Sequence, residues 1–163
     1  PGQRRPLFEH GAVGGGGRRM LIMDEAVYKA VTAHCAEGYP HEVCGLLVGR
    51  AEGDGVKRIV RAERARNLNT ERAHDRYELD PMDYLRIDRS LDGTDLAIVG
   101  VYHSHPDHPA RPSQTDLERA WPALSYLIVS VEKGTPVVAR SWVLDEAAGR
   151  FQEEPVRIQS VGA

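Results

Sequence analysis

The densest group of potential metal ligands in the chain is His103-Ser104-His105, followed after seven residues by Ser113 and after two more by Asp116. The run Leu96-Ala-Ile-Val99, with Val101, precedes it and reads as a largely buried strand. Residues i and i+2 of a strand share a face, so His103 and His105 should point the same way and Ser104 the other. Pro106 cannot donate to a strand ladder and should end the strand. The loop up to Pro112 is rich in proline and stiff. Ser113-x-x-Asp116 before Leu117, Ala120 and Trp121 is the signature of a helix start, with Ser113 as N-cap and Asp116 in the first turn. Two imidazoles and one carboxylate leave a fourth position for water, the count of a catalytic zinc site; a structural site usually takes all four ligands from the protein. Each piece alone is ordinary, since His-x-His often only packs and a first-turn Asp favours the helix dipole. The joint spacing is what points to chemistry.

These side chains need elements to hold them. Asp24 can cap a helix over 24–37, closed by Gly38, with Val27, Ala30, Val31 and His34 at helical spacing. A strand is expected from about Val43, with Glu42 at its entrance, and Glu52-Gly-Asp-Gly55 turns it into a second strand from Val56 to Arg66. Asn67 to His74 is polar and turn-prone, and Arg76-Tyr-Glu-Leu79 reads as a short strand. Asp80-Pro81 starts a helix that runs to about Ser90. After Ser113, strands are expected over 125–131, 137–144 and 150–158. Strands and helices interleave, so the fold class is α/β, helices packed on a central sheet.

The 163 residues, 41% hydrophobic and 28% charged, suit one soluble domain with a sizeable core. A net charge of -3 argues against a nucleic-acid partner. No apolar run approaches the roughly 20 residues that span a bilayer, and no signal-peptide core is evident, so no membrane role and a cytoplasmic location are expected. Cys35 and Cys44 make no disulfide framework. Residues 1–19, rich in Gly and Arg, are expected to form a disordered tail or an added remnant, with the domain proper over 20–163.

The pattern His103-Ser-His105-x7-Ser113-x2-Asp116, with Glu42 in His41-Glu-Val-Cys-Gly-Leu-Leu-Val-Gly49, resembles the JAMM (MPN+) metalloprotease family. The resemblance runs from about Leu21 to Ile158 and fills every position of the family motif. It implies the MPN/JAMM fold, a mixed, mostly antiparallel sheet flanked by helices, an architecture like that of cytidine deaminases. It implies that His103, His105 and Asp116 bind one Zn2+ ion with a bound water, that Glu42 is the general acid/base and that Ser113 stabilises an oxyanion. The small size resembles the bacterial members that process ubiquitin-like sulfur carriers (ThiS, MoaD and CysO type) after a Gly-Gly tail. Such a partner, and a possible homodimer, are the expectation. The alternatives are an isopeptidase acting on ubiquitin-like conjugates and a non-catalytic MPN scaffold, although a scaffold would need a broken motif. The RadC-like motif differs at Ser104 and Asp107-His108, and a zinc deaminase would need His-x-Glu and Pro-Cys-x-x-Cys, which are absent. Nitrogen and oxygen ligands would also accept iron, cobalt or nickel.

Overall fold

The computed structural model describes residues 19–160; the tail expected over 1–19 lies almost wholly outside the described residues. The elements in order are β1 (Met20–Asp24), α1 (Glu25–Gly38), β2 (Cys44–Ala51), a short 3-10 turn (Gly53–Gly55), β3 (Val56–Ala65), α2 (Pro81–Ser90), β4 (Ala97–Pro106), α3 (Gln114–Arg119), β5 (Ser125–Glu132), β6 (Thr135–Asp145), β7 (Arg150–Glu154) and β8 (Val156–Gln159). They build one eight-stranded sheet in the order β7-β6-β5-β4-β2-β3-β1-β8. Pairing is mixed: β2 lies antiparallel to β3 and β4, and β6 to β5 and β7, while β4–β5, β1–β3 and β1–β8 are parallel. The α/β class and the mostly antiparallel sheet agree with the sequence reading.

Both faces of the sheet are covered. Leu47, Val99, Leu127 and Val129 pack under Val27, Val31 and Cys35 of α1. Leu46, Val48, Ile98 and Val101 pack under Ile87 of α2 and the adjacent Leu91. Successive residues of β2 therefore alternate between two cores, as a strand buried on both sides must. In β4 the alternation slips once. Leu47 pairs with Gly100 and Val48 with Ile98, so Val99 is an extra, bulged residue. The bulge sets the phase of everything downstream: Val101, His103 and His105 fall on the α2 side, and Tyr102 and Ser104 on the α1 side. Bulges commonly re-aim side chains beside a functional site. On the α1 side Tyr102 lies over Gly45, where any Cβ would run into its ring, and its hydroxyl meets His34 Nδ1 at 2.6 Å. His34 is thus structural, and burial pulls its pKa down to about 4.

Three elements depart from the sequence reading. Met20–Asp24 is a strand, pairing with both β3 and β8, where only the helix after it was expected. Arg76 to Leu79 is not a strand; a lone bridge joins Asn67 to Leu79. The single strand expected over 150–158 is two strands, divided at Pro155, which cannot donate to a ladder. β7 and β8 lie at opposite edges of the sheet, yet one residue separates them. The sheet must therefore curl until its edges meet. The polar groups this encloses are paired: Glu154 accepts from Ser141 Oγ at 2.7 Å, and Lys57 Nζ donates to Ala123 O at 2.6 Å and Ser125 Oγ at 2.8 Å.

The topology also locates the site. Parallel neighbours need a crossover, so the chain leaves β4 at its C-terminal end and returns to start β5 beside the start of β4. That crossover carries α3, whose N-terminus stands next to the histidine-bearing end of β4.

Candidate metal centre

The structure brings Glu42, His103, His105 and Asp116 to one point. His103 Nε2 and His105 Nε2 lie 3.1 Å apart, and Asp116 Oδ2 lies 3.4 Å from each. The neighbouring donor atoms of a tetrahedral zinc, with bonds of roughly 2.0–2.2 Å, lie about 3.3–3.6 Å apart. The three atoms therefore fit one face of a zinc tetrahedron, and that face is turned inward: His103 is fully buried and the Asp116 side chain is 8% exposed. A Glu42 carboxylate oxygen also falls within 4.8 Å of both imidazole donor nitrogens. A small cavity of about 10 Å³, lined by Glu42, Tyr77, Ser113 and Asp116 among others, offers space for about one water molecule.

Ser113 caps α3 as the spacing predicts. Its Oγ accepts from Asp116 N at 3.1 Å, and Asp116 Oδ2 accepts from Ser113 N at 2.8 Å, a reciprocal capping box. The same Oδ2 faces both imidazoles, so the cap also aims the carboxylate. α3 is shorter than its sequence pattern and ends at Arg119, leaving Trp121 63% exposed.

Comparison with known proteins fits this geometry. The family profile Prok-JAB, described as prokaryotic homologs of the JAB domain, matches residues 24–145. The chain belongs to the prokaryotic JAB-domain family. A CysO-cysteine peptidase of Mycobacterium tuberculosis is 31% identical over 85% of this chain and 91% of its own length. A desampylase of Haloferax volcanii is 34% identical over 80% of this chain and 90% of its own. The solution structure of a protein from Desulfitobacterium hafniense superposes with a TM-score of 0.75 at 31% identity, covering 86% of this chain and 94% of that one.

Within this JAB domain the two imidazoles are oriented by different means. His105 Nδ1 lies 2.9 Å from Pro109 O, which fixes Nδ1 as the N–H and leaves the Nε2 lone pair able to take a metal. The carbonyls on either side are pinned too: Ser130 Oγ donates to His108 O at 2.6 Å and Trp142 Nε1 to Ala110 O at 3.0 Å. Asp107, exposed at the start of this loop, anchors it by accepting from Tyr39 Oη at 2.6 Å and Lys133 N at 2.8 Å. His103 Nδ1, by contrast, is buried with no hydrogen-bond partner. Its ring is held by stacking on Tyr77, with centroids 4.4 Å apart and planes 25° apart. Ser104 faces away, as expected, and its Oγ accepts from Val43 N at 2.9 Å, next to Glu42.

The sequence reading did not single out Tyr77 or Asn67. Asn67 fills all four of its hydrogen-bonding positions. Its Nδ2 donates to Glu42 O at 3.0 Å and Arg76 O at 3.1 Å, and its Oδ1 accepts from Asn69 N and Glu78 N, both at 2.9 Å. It thereby ties the segment carrying Tyr77 to the backbone of Glu42. An Asn in a turn-prone stretch gives no periodic signal of such a role. Asn67→Ala should lower kcat by roughly 10-fold or more through a loosened Glu42, and cost about 1–3 kcal/mol of stability for the carbonyls left unpaired. Metal content should stay near one per chain, and steady-state kinetics beside metal analysis checks both.

Burial dominates the electrostatics of the site. It pushes Glu42 up to about 8, helped by the charges of Asp116 and Asp75 and opposed by His105. Burial also works against the charge on Asp116, but hydrogen bonds from His103 and His105 hold its carboxyl well below the usual range. The two carboxylates set opposite pH slopes in the metal-free chain. Asp116 contributes stability above its unfolded pKa of about 3.9, and this is lost as the pH falls below that value. Glu42, raised in the fold, releases its proton earlier when unfolded, so stability falls as the pH rises from about 4.3 to about 8. One proton bounds that slope at about 1.4 kcal/mol per pH unit. Urea unfolding of chelator-treated protein should show it, and Glu42→Gln should flatten it.

Among the described residues, no helix is long and apolar enough to cross a membrane. Cys35 and Cys44 are free and buried, and burial pushes each thiol up to about 12.

Proposed function

We propose that this JAB-domain chain is a zinc-dependent metallopeptidase that hydrolyses the peptide or isopeptide bond after the C-terminal Gly-Gly of a ubiquitin-like sulfur-carrier protein. The observation that carries the hydrolytic reading is the 3.1–3.4 Å triangle of His103, His105 and Asp116 with Glu42 just beyond it. The substrate class is supported by relatives named for a CysO-cysteine peptidase and a desampylase. His103, His105 and Asp116 would hold the metal. Bound there, zinc supplies Lewis acidity toward both water and the scissile carbonyl.

The other roles belong to this chain's own groups. Glu42 takes a proton from the attacking water and later delivers it to the leaving amine. Ser113 Oγ uses a lone pair to cap Asp116 N, and its hydroxyl proton remains to donate to the oxyanion. Glycine at the scissile position lets substrate backbone approach so enclosed a cavity closely.

The test is incubation of a carrier bearing a C-terminal adduct after Gly-Gly, followed by mass spectrometry with and without chelator. Chelator-sensitive release of the adduct, leaving a Gly-Gly carboxylate, is expected. An intact adduct on every carrier tried, with zinc bound stoichiometrically, would reject this substrate class.

A further inference from the structure

Two guanidinium groups stand on the rim of the catalytic cavity without a part in the mechanism above. Arg76 and Arg119 line the same cavity of about 10 Å³ as Glu42, Ser113 and Asp116. They cross each other's elements: Arg76 Nη1 donates to Thr115 Oγ1 in α3, and Arg119 Nη1, at the end of α3, donates back to Tyr77 O at 2.9 Å. A guanidinium has five donors in a planar fork that matches a carboxylate. The crossing takes one from each. The nearby Asp75 is already gripped by Arg72, through Nε at 3.1 Å and Nη2 at 2.5 Å.

We propose that Arg76 and Arg119 form a carboxylate-reading subsite, so that the preferred leaving group is a single amino acid with a free α-carboxylate rather than a lysine side chain. This rests on the peptidase reading above and narrows its substrate. In a peptide bond to one terminal amino acid, the carboxylate carbon lies two bonds, about 2.5 Å, from the scissile nitrogen. A reader must then lie close to the catalytic groups, and Arg76 and Arg119 line the same water-sized cavity as Glu42, Ser113 and Asp116. An isopeptide places a lysine methylene at that point, which needs no cation.

The competing account is that the crossed pair only stitches the Tyr77 segment to α3. A stitch serves every substrate alike, and a reader serves only the carboxylate. Three probes separate them: CysO extended by one cysteine with a free carboxylate, the same with a C-terminal carboxamide, and CysO joined through Gly-Gly to a lysine ε-amine. Wild type should prefer the carboxylate by roughly tenfold or more in kcat/KM. Arg76→Ala and Arg119→Ala should level that preference. Equal losses on all three probes, or no preference in wild type, would overturn the proposal. A second arm needs no turnover. Calorimetry on zinc-loaded Glu42→Gln compares short tail peptides ending Gly-Gly-Cys as carboxylate and as carboxamide. Tighter binding of the carboxylate, abolished by adding Arg119→Ala, supports the subsite even if no probe is cleaved, and then the peptidase reading alone has failed. Cleavage with equal binding and equal rates rejects the subsite and leaves that reading standing.

Discussion

Replacing Glu42 by Gln should lower kcat by about 10³-fold or more while zinc stays bound at one ion per chain. The substitution is nearly isosteric, and the backbone at this position is held from outside, by Asn67 Nδ2 on its carbonyl at 3.0 Å and by Ala73 O on its N–H. Glu42 is 5% exposed, so Gln enters the same enclosed space. What it removes is the capacity to accept and return a proton. The metal triangle is formed by other residues and should persist. In the metal-free chain the same change removes a buried titratable acid, so above pH 8 the variant should unfold at an equal or higher temperature than wild type. Carrier cleavage, metal analysis and thermal unfolding read the three consequences separately. One outcome would redraw the site. Glu42, His103 and His105 also form a cluster whose donor atoms lie within 4.8 Å of one another. Loss of zinc in Glu42→Gln would make Glu42 a ligand rather than a base, and full activity would remove it from the mechanism altogether.

What could be read from the sequence depended on how local the cause was. The convergence of His103 with His105 follows from strand periodicity, and the aim of Asp116 follows from a capping box written as Ser-x-x-Asp. Caps at Asp24 and Asp80 were legible for the same reason, and the side chains of both accept the expected backbone N–H bonds. The bulge at Val99 was not legible, because it is a mismatch between two strands and neither strand alone contains it. The split at Pro155 was misread for a related reason. Gln152-Glu-Glu-Pro155 does interrupt the alternation, but only the curl of the sheet sends β8 to the opposite edge. β1 is five residues long, too short to separate from the helix that follows. Tyr77 and Asn67 lie in an irregular segment. Their roles arise from a ring stacked on His103 and from carbonyls brought near by tertiary contacts. Glu42 was located by its family position, and nothing in its neighbours' periodicity marks it as buried.

Asp116→Ala should abolish both zinc binding and turnover, and its effect on α3 makes the two losses separable from simple unfolding. Asp116 Oδ2 serves the imidazoles at 3.4 Å and the Ser113 N–H at 2.8 Å. Removing it takes one of the three proposed ligands and half of a capping box. The cap is worth about 1 kcal/mol, which a folded domain can lose. The ligand is worth far more to the metal, so zinc affinity should fall by more than about 10²-fold in competition with a chromogenic chelator. Ser113→Ala is the control. It removes the other half of the cap, the Oγ that accepts Asp116 N at 3.1 Å, and leaves the carboxylate in place. It should destabilise α3 to a similar extent, lower kcat through the missing oxyanion donor, and keep its zinc. Because one carboxylate both starts the helix and closes the metal triangle, zinc should protect the amides of α3 from hydrogen exchange in wild type. That protection should survive in Ser113→Ala and vanish in Asp116→Ala. Protection lost equally in both would mean that the cap, rather than the carboxylate, links the helix to the metal.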